Sequence, residues 1–206
     1  VANEKLCDMT VRELLAATAS RAPAPGGGGI AAMTAAAAAA LLEMVANLTI
    51  GKKGYEQAAA DMQHIKLQCE RIREYCLTAI DADAEAFRSV IAALRLSKDR
   101  PERPEKIQQA FKEAAQVPYE LSTQIFIILE LSQNVIRNGN SWALTDAAIS
   151  VLQARAAMRS AFYSVKVNLS SIKDPQFIEV MEQAMLELDR RAEVIEQEVL
   201  NVYDHR

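Results

Sequence analysis

The distribution of glycine constrains this chain more than any other feature. Its seven glycines are Gly26, Gly27, Gly28, Gly29, Gly51, Gly54 and Gly139, so none lies between Gly54 and Gly139 and none follows Gly139. A sheet protein needs turn residues every ten residues or so. Stretches this long without them leave long helices joined by few connections as the consistent architecture. The 206 residues suffice for one sizeable domain, taken here as residues 1–206. Aromatic residues make up 5% of the chain and hydrophobic residues 50%, so the core is expected to be aliphatic and alanine-rich. With 24% charged residues, a wholly disordered chain is excluded. Lys plus Arg total 23 and Asp plus Glu 27, a net charge of −4 with no strong basic block, which argues against a nucleic-acid partner.

Punctuation places the helices. Thr10-Val11-Arg12-Glu13 is a capping box opening a short helix to about Ala19. Ala22 to Gly29, with Pro23 and Pro25, reads as an irregular loop. An alanine-rich helix follows from about Gly29 to Ile50, and Gly51-Lys52-Lys53-Gly54 ends it. Its uncharged run, Ile30 to Leu42, is short of the ~20 residues a membrane span needs, so a buried soluble helix and no membrane partner are expected. From Tyr55 to about Leu96 the apolar positions Met62, Ile65, Cys69, Ile72, Cys76, Ile80, Phe87, Ile91 and Leu94 form a helical stripe. Ser97 to Pro104 is a charged connection. The helix from about Pro104 to Arg137 is expected to kink or break at Pro118. Asn138 to Ser141 is a turn, Trp142 to about Ser171 is helical, and Pro175 after Asp174 starts a last helix along Phe177, Met181, Leu188, Ile195 and Val202. The expectation is an elongated all-α bundle of about six helices. The stripes Met62–Leu94 and Phe177–Val202 exceed what one subunit covers, which predicts a homodimer. Three cysteines without framework spacing fit a reduced, cytoplasmic setting, and the N-terminal residues show no signal core.

Few residues carry chemistry. Of two histidines, His205 lies in the tail, and His64 sits one residue off the apolar stripe with no His or Cys at ligand spacing, so no catalytic metal is expected. Asp83 continues the stripe Cys76, Ile80, Phe87, Ile91, so it falls on the buried face, whereas Asp81 is about 200° away and is expected to be solvated. Burial raises a carboxyl pKa and fits it for proton exchange near neutrality; the plainer reading is an aspartate bonded to a neighbouring helix or an arginine. Asp146, between Trp142 and Ile149, is a second carboxylate on an apolar stripe or simply a first-turn acid favoured by the helix dipole. Pro25, Gly26, Gly27, Gly28 and Gly29 precede a helix and either expose N–H groups to a ligand or form a flexible connector. They are not a dinucleotide or triphosphate fingerprint, since no strand precedes them and no Gly-Lys-Ser follows. Lys52 and Lys53 form a basic pair, a kind usually solvated.

Taken together, Pro23-Ala24-Pro25-Gly26-Gly27-Gly28, the alanine-rich helix, Met44-Val45-Ala46-Asn47-Leu48-Thr49-Ile50-Gly51-Lys52-Lys53 with Tyr55, Asp81 to Phe87, Thr145-Asp146 and Val165-Lys166-Val167-Asn168-Leu169 resemble the cyclodeaminase/cyclohydrolase family. This is the C-terminal domain of formiminotransferase-cyclodeaminase and its free-standing bacterial relatives. Gly29 stands where the family usually has Ser, Ser97 replaces a Pro, Thr145 replaces Ser, and Ser164 stands where Asn is usual. The resemblance implies an all-α homodimer acting on the one-carbon bridge of tetrahydrofolate, with no cofactor beyond that substrate and no metal. One activity closes 5-formiminotetrahydrofolate to 5,10-methenyltetrahydrofolate with release of ammonia; the other opens the methenyl ring with water. On that resemblance Asp83 is the general acid/base, Asp146 accepts the pterin amino and ring N–H pair, Lys52 and Lys53 meet the glutamate tail, the glycine loop lies against the folate, and Asn168 donates to the tetrahedral centre. The reading from another class is a non-catalytic helical dimer that binds folate or a protein partner.

Overall fold

The computed structural model describes residues 5–205. After a 3₁₀ turn at Leu6–Asp8, six α-helices follow: α1 Val11–Thr18, α2 Gly27–Thr49, α3 Ala59–Leu94, α4 Arg103–Asn138, α5 Leu144–Leu169 and α6 Pro175–Asp204. Single 3₁₀ turns at Glu56–Ala58 and Ser141–Ala143 lead into α3 and α5. Helices α2, α3, α4 and α5 form the central bundle, and α6 lies along α4 and α5. At about 1.5 Å per residue, the 36-residue helices α3 and α4 each run about 54 Å.

Local chemistry explains the boundaries. Thr10 Oγ1 accepts from Glu13 N at 3.2 Å while Glu13 Oε2 accepts from Thr10 N at 2.9 Å, completing the expected capping box. Asp174 accepts from Phe177 N at 3.1 Å and Pro175 follows at the first helical position. The turn between α2 and α3 needs Gly51 (φ 73°) and Gly54 (φ 91°), a left-handed backbone that side chains disfavour. Alanines 31, 35, 38 and 39 of α2 are buried, and Ser150 Oγ of α5 donates to Ala38 O at 2.7 Å. Small side chains here let α2 and α5 lie close.

Four expectations are corrected. The loop ends earlier than Gly29, because Gly26 caps a helix whose first residue is Gly27. Pro118 does not break α4, which runs as one helix from Arg103 to Asn138. Proline has no N–H, so the Ala114 carbonyl loses its partner within the helix. Asn168 of α5 supplies the missing bond, its Nδ2 donating to Ala114 O at 3.0 Å.

Asp81 is not a freely solvated residue: its carboxylate accepts from Leu6 N at 2.7 Å and Cys7 N at 3.2 Å, tying the N-terminal segment to α3. The fourth correction concerns the surface left for a partner. The α6 stripe is covered within the chain, with Met181, Met185, Ala192, Ile195 and Val199 buried. Buried Arg155 of α5 reinforces this by pairing with Asp189 at 2.9 Å and Glu196 at 3.0 Å. The α3 stripe from Met62 to Ile80 is likewise buried. The apolar face that stays open belongs to α2 and α5. It includes Met44 and Leu48 on α2, and Ile149, Leu152, Tyr163 and Val167 on α5, with Trp142 just before α5 at 89% exposed. Thus the stripe of Trp142, Ile149 and Leu152 points outward rather than into the core.

Candidate active site

A cleft of about 400 Å³ opens where α2 begins. Helix α3 runs past the N-terminus of α2, so beyond Ile80 it loses the cover of α2, while Val90 and Ala93 still pack on α4. This is why Asp83 is half-buried and Phe87 is 40% exposed, although their spacing continues the core stripe. Pro23, Ala24 and residues 26–28 form one wall, Phe87 and Val90 of α3 and Phe111 of α4 contribute apolar walls, and Ser164, Asn168, Ser170 and Ser171 bring polar groups from the end of α5.

Asp83 is built into this cleft by two contacts. Its Oδ2 accepts from Gly29 N at 3.1 Å, one of the first-turn donors of α2 that has no partner within the helix. Its Oδ1 lies against Gly28, where any Cβ would overlap the carboxylate. A Cβ at Gly26 or Gly27 would meet nothing within 4 Å. A side chain at Gly28 would therefore displace the Asp83 carboxylate, and Gly26 and Gly27 leave open backbone along the cleft. Burial raises the Asp83 carboxyl above the ordinary aspartate range, and the Gly29 hydrogen bond partly offsets this by favouring the anion. Asp81 goes the other way. Burial pushes it up, but hydrogen bonds from Cys7 and Leu6 prevail and hold it low. Gly29 acts through its N–H, so the family's Ser is not needed for the contact to Asp83.

The remaining expected site residues divide. Pro25 is buried and does not line the cleft; Pro23 and Ala24 do. Asn168 lines it, but its Nδ2 donates to Ala114 O and to Ser164 O (2.9 Å), so its donor hydrogens are already engaged. The donation expected from it toward a reacting centre is thus replaced by a bracing role between α5 and α4. Lys52, Lys53 and Asp146 lie elsewhere. Lys52 Nζ donates to Asn140 Oδ1 and sits 5.4 Å from the Tyr55 ring centroid, at the C-terminal end of α2. Lys53 is exposed beside it, and half-buried Asp146 is in the first turn of α5. The 23 residues of α2 put this end about 34 Å from Gly28. Sequence reasoning missed Phe111, Ser170 and Ser171, which reach the cleft from α4 and from the turn that follows α5 and carry no spacing signal. Among the described residues, no group of three His, Cys, Asp or Glu is arranged to hold a metal ion.

An all-helical bundle whose cleft carries one raised-pKa carboxylate at a helix N-terminus defines the class. The chain belongs to the formiminotransferase-cyclodeaminase family, whose model matches residues 10–187. It is 40% identical to the methenyltetrahydrofolate cyclohydrolase of Methylorubrum extorquens over 82% of this chain and 84% of that one. It is 26% identical to the rat formimidoyltransferase-cyclodeaminase over 85% of this chain, but spans only 33% of that longer protein. The crystal structure of formiminotetrahydrofolate cyclodeaminase from Thermotoga maritima superposes with a TM-score of 0.90 at 29% identity, covering 96% of this chain and 97% of that one.

Proposed function

We propose that this chain is an enzyme of tetrahydrofolate one-carbon chemistry acting at the N5/N10 bridge, with Asp83 moving the proton. The observation that carries the reading is the Asp83 carboxylate, fixed by Gly29 N–H in a cleft flanked by the rings of Phe87 and Phe111. Aromatic walls suit the flat pterin and benzoyl groups of a folate. Backbone of Gly26 and Gly27 offers a surface that no side chain obstructs.

The opening reaction needs one shuttled proton. Asp83 accepts a proton from water as its oxygen adds to the methenyl carbon, then returns it to the departing nitrogen as the carbon–nitrogen bond breaks. The second proton of the water leaves to solvent as the formyl carbonyl forms. In the closing reaction of a formimino substrate, the same carboxylate carries a proton from N10 to the leaving amine, which departs as ammonia. The higher identity to the cyclohydrolase supports water as the co-substrate. The close fold match to the cyclodeaminase supports the second reaction on the same groups. A homodimer belongs to this reading, supported by the open apolar face of α2 and α5. So does a cytoplasmic setting, supported by free Cys7, Cys69 and Cys76.

The test is a spectrophotometric assay of methenyltetrahydrofolate in both directions, with and without ammonia. Loss of the methenyl absorbance in buffer alone marks the cyclohydrolase, and its appearance from the formimino compound marks the cyclodeaminase. Folate binding without turnover in either direction would leave the non-catalytic reading in its place.

A further inference from the structure

We infer that the hollow beyond Phe87 seats the glutamate tail of the substrate, with Arg88 and Arg95 of α3 pairing with its carboxylates, an assignment that rests on the folate reading above.

The cleft does not end at its aromatic wall. A second hollow of about 560 Å³ shares Pro23, Ala24 and Phe87 with it and continues along α3 past Arg88, Ile91 and Arg95. The two hollows differ in charge. Among their described lining residues, the first holds the Asp83 carboxylate and no Lys or Arg, whereas the second holds two guanidinium groups and no acid. A ligand that spans both is matched when its reacting end is uncharged or cationic, its middle is flat and its far end is anionic. A folate has that order: the one-carbon bridge, the benzoyl ring, then glutamate.

Helix α3 sets the spacing. Asp83, Phe87, Ile91 and Arg95 are four residues apart and form one ridge of the helix. At about 1.5 Å per residue, Arg88 stands about 7.5 Å and Arg95 about 18 Å from Asp83 along the axis. With bonds of about 1.5 Å, a folate reaches about 10 Å from N10 to its first carboxylates, and each further γ-linked glutamate adds about 5 Å. With the bridge carbon at Asp83 and the benzoyl ring on Phe87, the first carboxylates fall between the two arginines. Helical side chains lean toward the N-terminus of their helix, which brings Arg95 back toward the ring.

Both arginines can take a new partner. Arg88 Nε and Nη2 donate to Glu85 Oε2 at 2.8 and 2.6 Å, which leaves the Nη1 edge of the guanidinium open. Both side chains of this pair are more than half exposed, and such a pair is weak enough to exchange for a substrate carboxylate. Arg95 is exposed and makes no salt bridge among the described residues. The dipole of α3 favours a cation at its end, which accounts for Arg95 alone. It does not account for Arg88, two turns earlier beside the same hollow.

The test compares Arg88→Ala/Arg95→Ala with wild type on three forms of the substrate: the tetrahydropteroate, which has no glutamate, the monoglutamate and the triglutamate. The double variant should raise KM about tenfold on the monoglutamate and at least as much on the triglutamate, with kcat held and the pteroate unaffected. Added salt should raise the KM of wild type for the two tail-bearing forms and leave that of the variant nearly unchanged. Arg95→Lys, tested beside Arg95→Ala, should recover part of the loss, because it keeps the charge but not the fork. A merely structural role lowers the melting temperature and acts on all three forms alike. KM raised equally on the pteroate, or raised on none, overturns the proposal, while turnover by wild type keeps the folate reading. Wild type that neither binds nor turns over any of the three removes the folate reading and the tail site with it.

Discussion

The two ends of α2 solve the same problem in different ways. At its start the helix leaves first-turn N–H groups unpaired, and a carboxylate from α3 accepts from Gly29 N at 3.1 Å. At its finish the chain turns through Gly51 and Gly54, and Asn140 gathers the strands of the turn: its N–H donates to Thr49 Oγ1 at 2.9 Å, its Nδ2 to Leu48 O at 3.0 Å, and its Oδ1 receives Lys52. The finish holds its charge in a satisfied polar knot. The start holds a charge that burial disfavours, beside a cleft. A carboxylate kept in that condition is available for proton transfer, whereas the lysine at the other end is already engaged by Asn140 Oδ1 and the Tyr55 ring. The comparison sets a charge left open at a cleft against one whose partners lie within its own turn.

The sharpest way to break this assignment is Asp83→Asn. Asn keeps an acceptor for Gly29 N–H but cannot transfer a proton, so turnover should fall by about 10²–10⁴ while folate affinity holds and the melting temperature does not fall. Asp81→Asn should loosen the Leu6–Cys7 segment and leave turnover near wild type. A smaller loss, about 10²-fold, is expected of Gly28→Ala, because its Cβ displaces the Asp83 carboxylate. Gly27→Ala meets no protein atom but stands on the surface proposed for folate, so it should raise KM with kcat largely held, which separates obstruction of binding from displacement of the carboxylate. At the opposite end, about 34 Å from the cleft, Lys52→Ala/Lys53→Ala should leave kcat and KM nearly unchanged and mainly loosen the turn that Lys52 makes with Asn140. A KM raised for polyglutamylated substrate alone would show instead that the pair reaches the substrate.

Much of the fold was legible because glycine, proline and capping residues act locally. The capping box at Thr10, the Asp174 cap and the helix ends near Gly51 and Gly139 all depend on residues within a few positions. Pro118 was not legible for the opposite reason. The bond that lets α4 continue comes from Asn168, 54 residues away from Ala114, and only packing reveals it. A stability cycle checks this. Asn168→Ala should cost about 1–3 kcal/mol by denaturant unfolding, as expected for a buried carbonyl left unpaired. In a Pro118→Ala background the helix regains its own N–H, so the cost should shrink.

The site was legible in part. Asp83 stood out because it interrupts a stripe of the helical period, and that stripe does lead to the cleft. Its half-exposure was not readable, because it depends on where α2 starts relative to α3. The outward face of α2 and α5 was hidden by periodicity itself: an apolar stripe has the same spacing whether it meets its own core or another molecule. Lys52, Lys53 and Asp146 share an end of the bundle, and only the structure shows that this end is remote from Asp83.

A small effect follows from the raised Asp83 pKa. With its folded pKa above the unfolded value, the contribution of Asp83 to stability is complete below the ordinary aspartate value. It is lost as pH rises through the folded pKa. Asp83→Asn does not titrate, so its stability relative to wild type should climb over that window and then level off. Denaturation midpoints from pH 4 to pH 8 would show it, and parallel curves for the two proteins would contradict it.

The most direct measurement of the central claim is the pH dependence of kcat/KM. The account predicts an acid limb whose midpoint lies above the ordinary aspartate value of about 3.9, and predicts that this limb disappears from the weak activity left in Asp83→Asn. A midpoint at the ordinary value, or the same limb persisting in the variant, would contradict the account and assign the proton to another group.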